Sequence, residues 1–106
     1  MRFTVHAGHN PDNKVACGAI GLIKESTENR NVKNEVIRLL KEEGHTVYDC
    51  TVENGTSVSD IVNKQVTNMN SYSNIDLHIS MYAFKRKAIL PDCLMYILFA
   101  LIAAAS

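Results

Sequence analysis

Apolar and polar positions recur along this chain with two periods, and the period changes in a regular order. Arg2 to Ala7 alternates residue by residue and is rich in β-branched and aromatic side chains, which predicts a first strand. Gly8-His9-Asn10-Pro11-Asp12-Asn13 is dense in turn formers and ends it. Val15 to Lys24, punctuated by Gly18 and Gly21, reads as a long irregular loop. A helix is expected from Ser26 or Thr27, either of which can cap the first free N–H groups, with Glu25 and Glu28 suited to the positive end of the dipole. Val32, Val36, Leu39 and Leu40 give it an apolar face, and Lys33, Arg38, Lys41 and Glu42 fall mostly on the other side. Gly44 is placed to stop it in the left-handed conformation, and Thr46 to Val52 predicts a second strand.

The same alternation then repeats. Asn54-Gly55 is a turn, Ser57 is placed to cap a second helix, and Asp60 three residues on completes a capping-box-like pair. Val58, Ile61, Val62, Val66 and Met69 mark its expected buried face. Polar residues from Asn68 to Asn74 close the helix, and Ile75 to Met81 predicts a third strand. Strands alternating with amphipathic helices imply an α/β fold: a parallel β-α-β-α-β sheet flanked by helices, joined by right-handed crossovers. In such sheets ligands bind beyond the carboxyl ends of the strands, where the loop carrying His9 and the segment after Met81 both emerge.

The pattern changes near residue 85. Lys85-Arg86-Lys87 is basic, Pro91-Asp92 is a breaker, and Cys93 to Ala105 is almost wholly apolar, with neither strand alternation nor a polar helical face. The run is short of the roughly 17–25 residues that span a bilayer as a helix, so the expectations are an out-of-frame segment or a short hydrophobic helix that packs on the sheet or touches a membrane surface. The chain is thus divided into an α/β domain, residues 1–84, and an atypical hydrophobic tail, residues 85–106.

Composition narrows the function classes. With 106 residues there is room for one core, and 46% hydrophobic with 21% charged residues is ordinary for a globular domain. Eleven basic residues balance eleven acidic ones, so the overall field offers nothing to nucleic acid or anionic lipid. Cys17, Cys50 and Cys93 are odd in number and lack CxxC spacing, which predicts reduced thiols, not a disulfide framework. The first residues read as a strand without the apolar segment of a secretory signal, so the expectation is a cytoplasmic protein until release.

Two residues carry candidate chemistry. His9 lies just past a strand end and Glu25 at the head of a helix that packs back on the sheet, so both are placed to point into the crevice above the strands. An imidazole nitrogen and a carboxylate oxygen are donors that zinc accepts, but hydrolytic zinc takes three protein ligands and one open position for water. The same two residues also arise as a surface histidine and a glutamate serving the helix dipole. His6, His45 and His78 read as structural, and Cys17, in the loop between the two candidates, is an outside choice for a thiolate ligand.

A family resemblance adds to this. Phe3-Thr4-Val5-His6-Ala7-Gly8-His9-Asn10 resembles the first strand and metal loop of the zinc-dependent N-acetylmuramoyl-L-alanine amidases sometimes called amidase type 3. Ile23 to Val32 resembles that family's glutamate segment at the head of its first helix. Gly44 to Val52 is similar to its second strand as found in clostridial cell-wall and phage lysins, and Ile75-Asp76-Leu77-His78-Ile79-Ser80 to the strand that leads to the third ligand. The resemblance covers residues 1 to about 82. It implies an α/β sheet fold and a zinc enzyme that cuts the amide between the lactyl group of muramic acid and L-alanine of the peptidoglycan stem peptide. Zinc would polarise the carbonyl and acidify a bound water, and a glutamate would move the protons.

Carried over by position, the resemblance makes His9 and Glu25 two of three zinc ligands. The third is a histidine in the family, followed by an Asn; here Ser80-Met81-Tyr82-Ala83-Phe84 puts Tyr82 in its place and lacks the Asn. His78 lies on the same strand face, about 13 Å away at about 3.3 Å per residue, too far to substitute. The family's catalytic glutamate comes from a later strand of a longer domain. The expectations are therefore a truncated amidase-type domain with weak or absent Zn2+ binding and impaired activity, or a non-catalytic relic of the fold that binds wall peptide or a partner protein.

Overall fold

The computed structural model describes residues 1–18, 20–21, 24–85 and 95–103. Its elements run β1 (Arg2–Ala7), α1 (Glu25–Glu42), β2 (Thr46–Asp49), α2 (Val58–Asn70), β3 (Leu77–Lys85) and β4 (Met95–Ala103). They form one sheet of order β2-β1-β3-β4. Both β2 and β3 pair with β1 in parallel, with Phe3 opposite Val47 on one side and Leu77 on the other. The fold is α/β, as the alternating pattern predicts, and β1 is the central parallel strand. The chain leaves β1 toward β2 and then crosses back to β3, so two right-handed crossovers that run in opposite directions across the sheet put α1 and α2 on opposite faces.

The apolar core lies under α1. Phe3, Val5, Val47, Ile79 and Met81 are buried, and Val32, Val36, Ile37, Leu40 and Leu77 pack against them. The other face of the same strands is polar: Thr4, His6 and Ser80 are buried there. Alternation along a strand is what sorts these two sets.

Several local expectations are corrected. Helix α1 starts at Glu25 after Lys24, with no side-chain cap. Ser26 is instead buried and its hydroxyl donates to the Asn10 carbonyl. Lys33 belongs to the buried side, where its Nζ meets Asp49 Oδ2 at 2.8 Å, while Leu39 is exposed. The inward stripe of α1 is Ser26, Asn29 and Lys33, all buried, followed by the half-buried Val36 and Leu40, in steps of three and four; it begins polar and turns apolar where it packs on the core. Gly44, at φ 88°, ends the helix: its N–H bonds Lys41 O and the N–H of His45 bonds Leu40 O.

Ser57 caps α2 by accepting from the Asp60 N–H, and Asp60 Oδ2 accepts from Thr56 N. The face that α2 buries is Ile61, Gln65 and Met69, whereas Val58, Val62 and Val66 are exposed. The helix is rotated from its most apolar stripe because the sheet face beneath it is polar: Gln65 Nε2 donates to Ala7 O at 3.4 Å. β2 stops at Asp49, short of Val52, and β3 begins at Leu77 and runs on through Tyr82 to Lys85.

β4 is the largest departure. The apolar run gave no strand signal, yet residues 95–103 pair antiparallel with all of β3, from Leu77 opposite Ala103 to Lys85 opposite Met95. A continuously apolar run does not reveal its own period; the open edge of β3 supplies one. Residues 86–94 and 104–106, which complete the predicted tail, lie outside the described residues. No helix among the described residues is long and apolar enough to cross a membrane.

Candidate functional site

The candidate site is built where β1 and β3 end together. Ala7 lies opposite Met81, and the ladder closes with Gly8 N donating to Met81 O at 2.9 Å. Tyr82 follows on β3 with its ring laid over Gly8, so closely that a Cβ at residue 8 would overlap the ring. His9 then turns out of the sheet with φ 64°, in the left-handed region where a non-glycine residue is held only by its surroundings.

His9 Nε2 stands 3.1 Å from Glu25 Oε1. The two side chains, predicted from a loop and a helix head, thus come together at the carboxyl edge of the sheet. Gly18, at φ 82°, covers the pair: a Cβ there would lie 2.8 Å from both Glu25 Oε2 and His9 Cδ2. Tyr82 completes the group, its ring edge-on to His9 with centroids 5.8 Å apart. Burial raises the Tyr82 phenol above its usual range and the Glu25 carboxylate raises it further. At neutral pH it is a protonated hydroxyl.

A tetrahedral zinc with donors at about 2.0–2.1 Å holds adjacent ligand atoms about 3.3 Å apart. The His9–Glu25 separation suits two such positions. Tyr82 does not suit the third, because a protonated phenol beside a carboxylate is a hydrogen-bond donor and a poor ligand. Among the described residues, no group of three or more His, Cys, Asp and Glu side chains is placed to hold an ion. The residues present fit a half-site, and no hydrolytic step through a metal follows from them. The Cys17 thiol, the outside choice, contacts Gly18 O at 3.8 Å.

The other histidines lie elsewhere. His78 pairs through Nδ1 with the Thr4 hydroxyl. His6 is buried on the α2 side; burial lowers its pKa to about 4, and His78 adds to this while Asp49 opposes it. His45 packs edge-on against Phe3.

Sequence reasoning missed the polar residues that hold the His9 loop. Asn10 is fully buried: its Nδ2 donates to Val15 O and Gly55 O, and its Oδ1 accepts from Gly55 N at 2.9 Å. Asn29 Nδ2 reaches Gly8 O at 3.5 Å, and Arg30 spans the loop from the side of α1. The one available signal was the spacing of Ser26, Asn29 and Lys33 in register with Val36 and Leu40.

Fold and site together define an α/β domain with a His–Glu pair at the carboxyl edge of its parallel strands. Comparison with known proteins finds similarity to an uncharacterized protein of Clostridium perfringens (strain 13 / Type A), 43% identical over 51 residues. The matched stretch is 48% of this chain and 14% of that protein. No family profile matches the chain, and no solved structure matches it.

Proposed function

We propose that this chain carries the first part of a zinc-dependent N-acetylmuramoyl-L-alanine amidase domain, with a metal half-site and impaired turnover. The observation that carries the reading is the His9–Glu25 pair, 3.1 Å apart at the carboxyl ends of β1 and β3. Its substrate class is the lactyl–L-alanine amide of peptidoglycan, its partners are the stem peptide and muramic acid, and its place of action is the cell wall. The resemblance of the strand and helix-head segments supports these assignments, and the parallel sheet is compatible with them. Tyr82 at the third-ligand position favours the second reading, a non-catalytic relic that binds wall peptide or a partner protein.

One experiment separates the two. The purified chain is loaded with zinc, its metal stoichiometry measured, and the loaded protein incubated with isolated peptidoglycan. Bound zinc with slow release of free L-alanine termini supports the amidase. Sedimentation with the wall without new termini supports the relic. A chain that binds neither zinc nor the wall refutes both the amidase and the wall-binding reading.

A further inference from the structure

The geometry points to Arg30 as the positioning residue of the His9–Glu25 half-site, an inference that rests on the metal reading above. A guanidinium has five N–H donors in a fixed planar fork. Here every nitrogen is engaged. Nε faces both carboxylate oxygens of Glu53, at 3.3 and 3.4 Å. Nη1 donates to Ser26 Oγ at 2.6 Å and reaches Ser26 O and Gly8 O at 3.3 and 3.4 Å. Nη2 donates to His9 O at 3.0 Å and Val52 O at 3.1 Å.

Those acceptors belong to three segments, two of which carry His9 and Glu25. Gly8 and His9 are the loop after β1, Ser26 follows Glu25 in the first turn of α1, and Val52 and Glu53 lie between β2 and α2. Arg30 therefore fixes the backbone on both sides of the His9 Cα relative to the helix turn that carries Glu25. His9 needs such a fixture because its left-handed φ has an intrinsic cost that neighbouring contacts must offset. Asn10 holds the next residue of the loop, where its carbonyl accepts from the Ser26 hydroxyl that Arg30 also bonds. One connected polar network thus sets the direction of the imidazole. Lysine, a single ammonium on a flexible stem, cannot reproduce the divergent bonds of five fixed donors.

The test compares Arg30→Lys with Lys33→Met, one turn along the same helix, whose bond is to Asp49 and not to the His9 loop. Two readouts are taken. The first needs no metal: amide exchange of Gly8, His9 and Asn10, and nuclear Overhauser contacts from the His9 ring to Gly18 and Tyr82. The second is the affinity for zinc alone, measured in the native chain and in Tyr82→His. Arg30→Lys is expected to speed exchange at the three amides, weaken the ring contacts and lower zinc affinity by about 10- to 100-fold, the usual effect of losing a group that orients a ligand. Lys33→Met is expected to lower the melting temperature without these changes. Ser26→Ala, which keeps Arg30 and removes one acceptor, gives a smaller effect in the same direction and serves if Arg30→Lys does not fold. If neither the native chain nor Tyr82→His binds zinc, the metal reading fails and the first readout alone decides the positioning role. If the His9 signals in Arg30→Lys and Ser26→Ala match the native ones, or if Lys33→Met disturbs them equally, the role assigned to Arg30 is overturned.

Discussion

The rings of Tyr82 and His9 meet edge-on, 5.8 Å between centroids and 85° between planes, at the position where the amidase resemblance expects a third zinc ligand. The phenol is protonated at neutral pH, and burial and Glu25 raise its pKa further. Replacing it with imidazole exchanges a donor for a ligand without moving the strand. Tyr82→His is therefore expected to bind zinc more tightly than the native chain. Isothermal titration with zinc decides this. Equal affinities would remove Tyr82 from the ligand set.

Gly8 and Tyr82 form a second pair. A methyl group at residue 8 enters the space of the Tyr82 ring. Gly8→Ala is expected to cost about 1–3 kcal/mol by overpacking. The double variant Gly8→Ala/Tyr82→Ala is expected to show much less than the sum of the two single losses, since the collision disappears with the ring. Chemical denaturation of the four proteins gives the coupling, and additive losses would argue against this contact.

His6 makes stability depend on pH. Its folded pKa of about 4 lies below the usual 6.5, so between those values the unfolded chain binds a proton that the folded chain resists. Stability contributed by neutral His6 is fully present above about pH 6.5 and is lost as pH falls toward 4. The loss approaches about 3 kcal/mol at the lower end. His78, also lowered by burial, works in the same direction. His6→Gln is expected to flatten the fall in melting temperature between pH 6.5 and 4, leaving the smaller His78 part. An unchanged slope would show that His6 is not the responsible group.

β4 gives the last prediction. It pairs with β3 along its whole length, and β3 carries Tyr82. Deleting residues 88–106 strips that partner and leaves the β3 backbone as an open edge. The deletion variant is expected to melt about 10 °C or more below the full chain and to aggregate more readily. A variant that stays soluble and melts at the same temperature would return the tail to the status of an appendage.

Much of this architecture follows from residues close together in the chain. The strand of Phe3 and Val5, the stop at Gly44 and the cap at Ser57 depend on neighbours within about four residues, which sequence period and composition record directly. His9 and Glu25 were legible as candidates because each stands at the end of a regular element, where an α/β sheet places its ligands.

Other features belong to the tertiary structure. The 3.1 Å between His9 and Glu25 depends on how α1 seats on the sheet. The five donors of Arg30 find acceptors only once three separate segments converge. The rotation of α2 away from Val58, Val62 and Val66 follows from the polar face of β1 beneath it, which no pattern within the helix encodes. β4 became a strand because β3 offered an unpaired edge to an apolar run with no period of its own. Sequence alone settled what near neighbours decide: the order of the first five elements, the stop at Gly44 and the cap at Ser57. The folded chain settled the rest, because contacts between distant segments depend on the orientation of whole elements, and a local period carries no record of that.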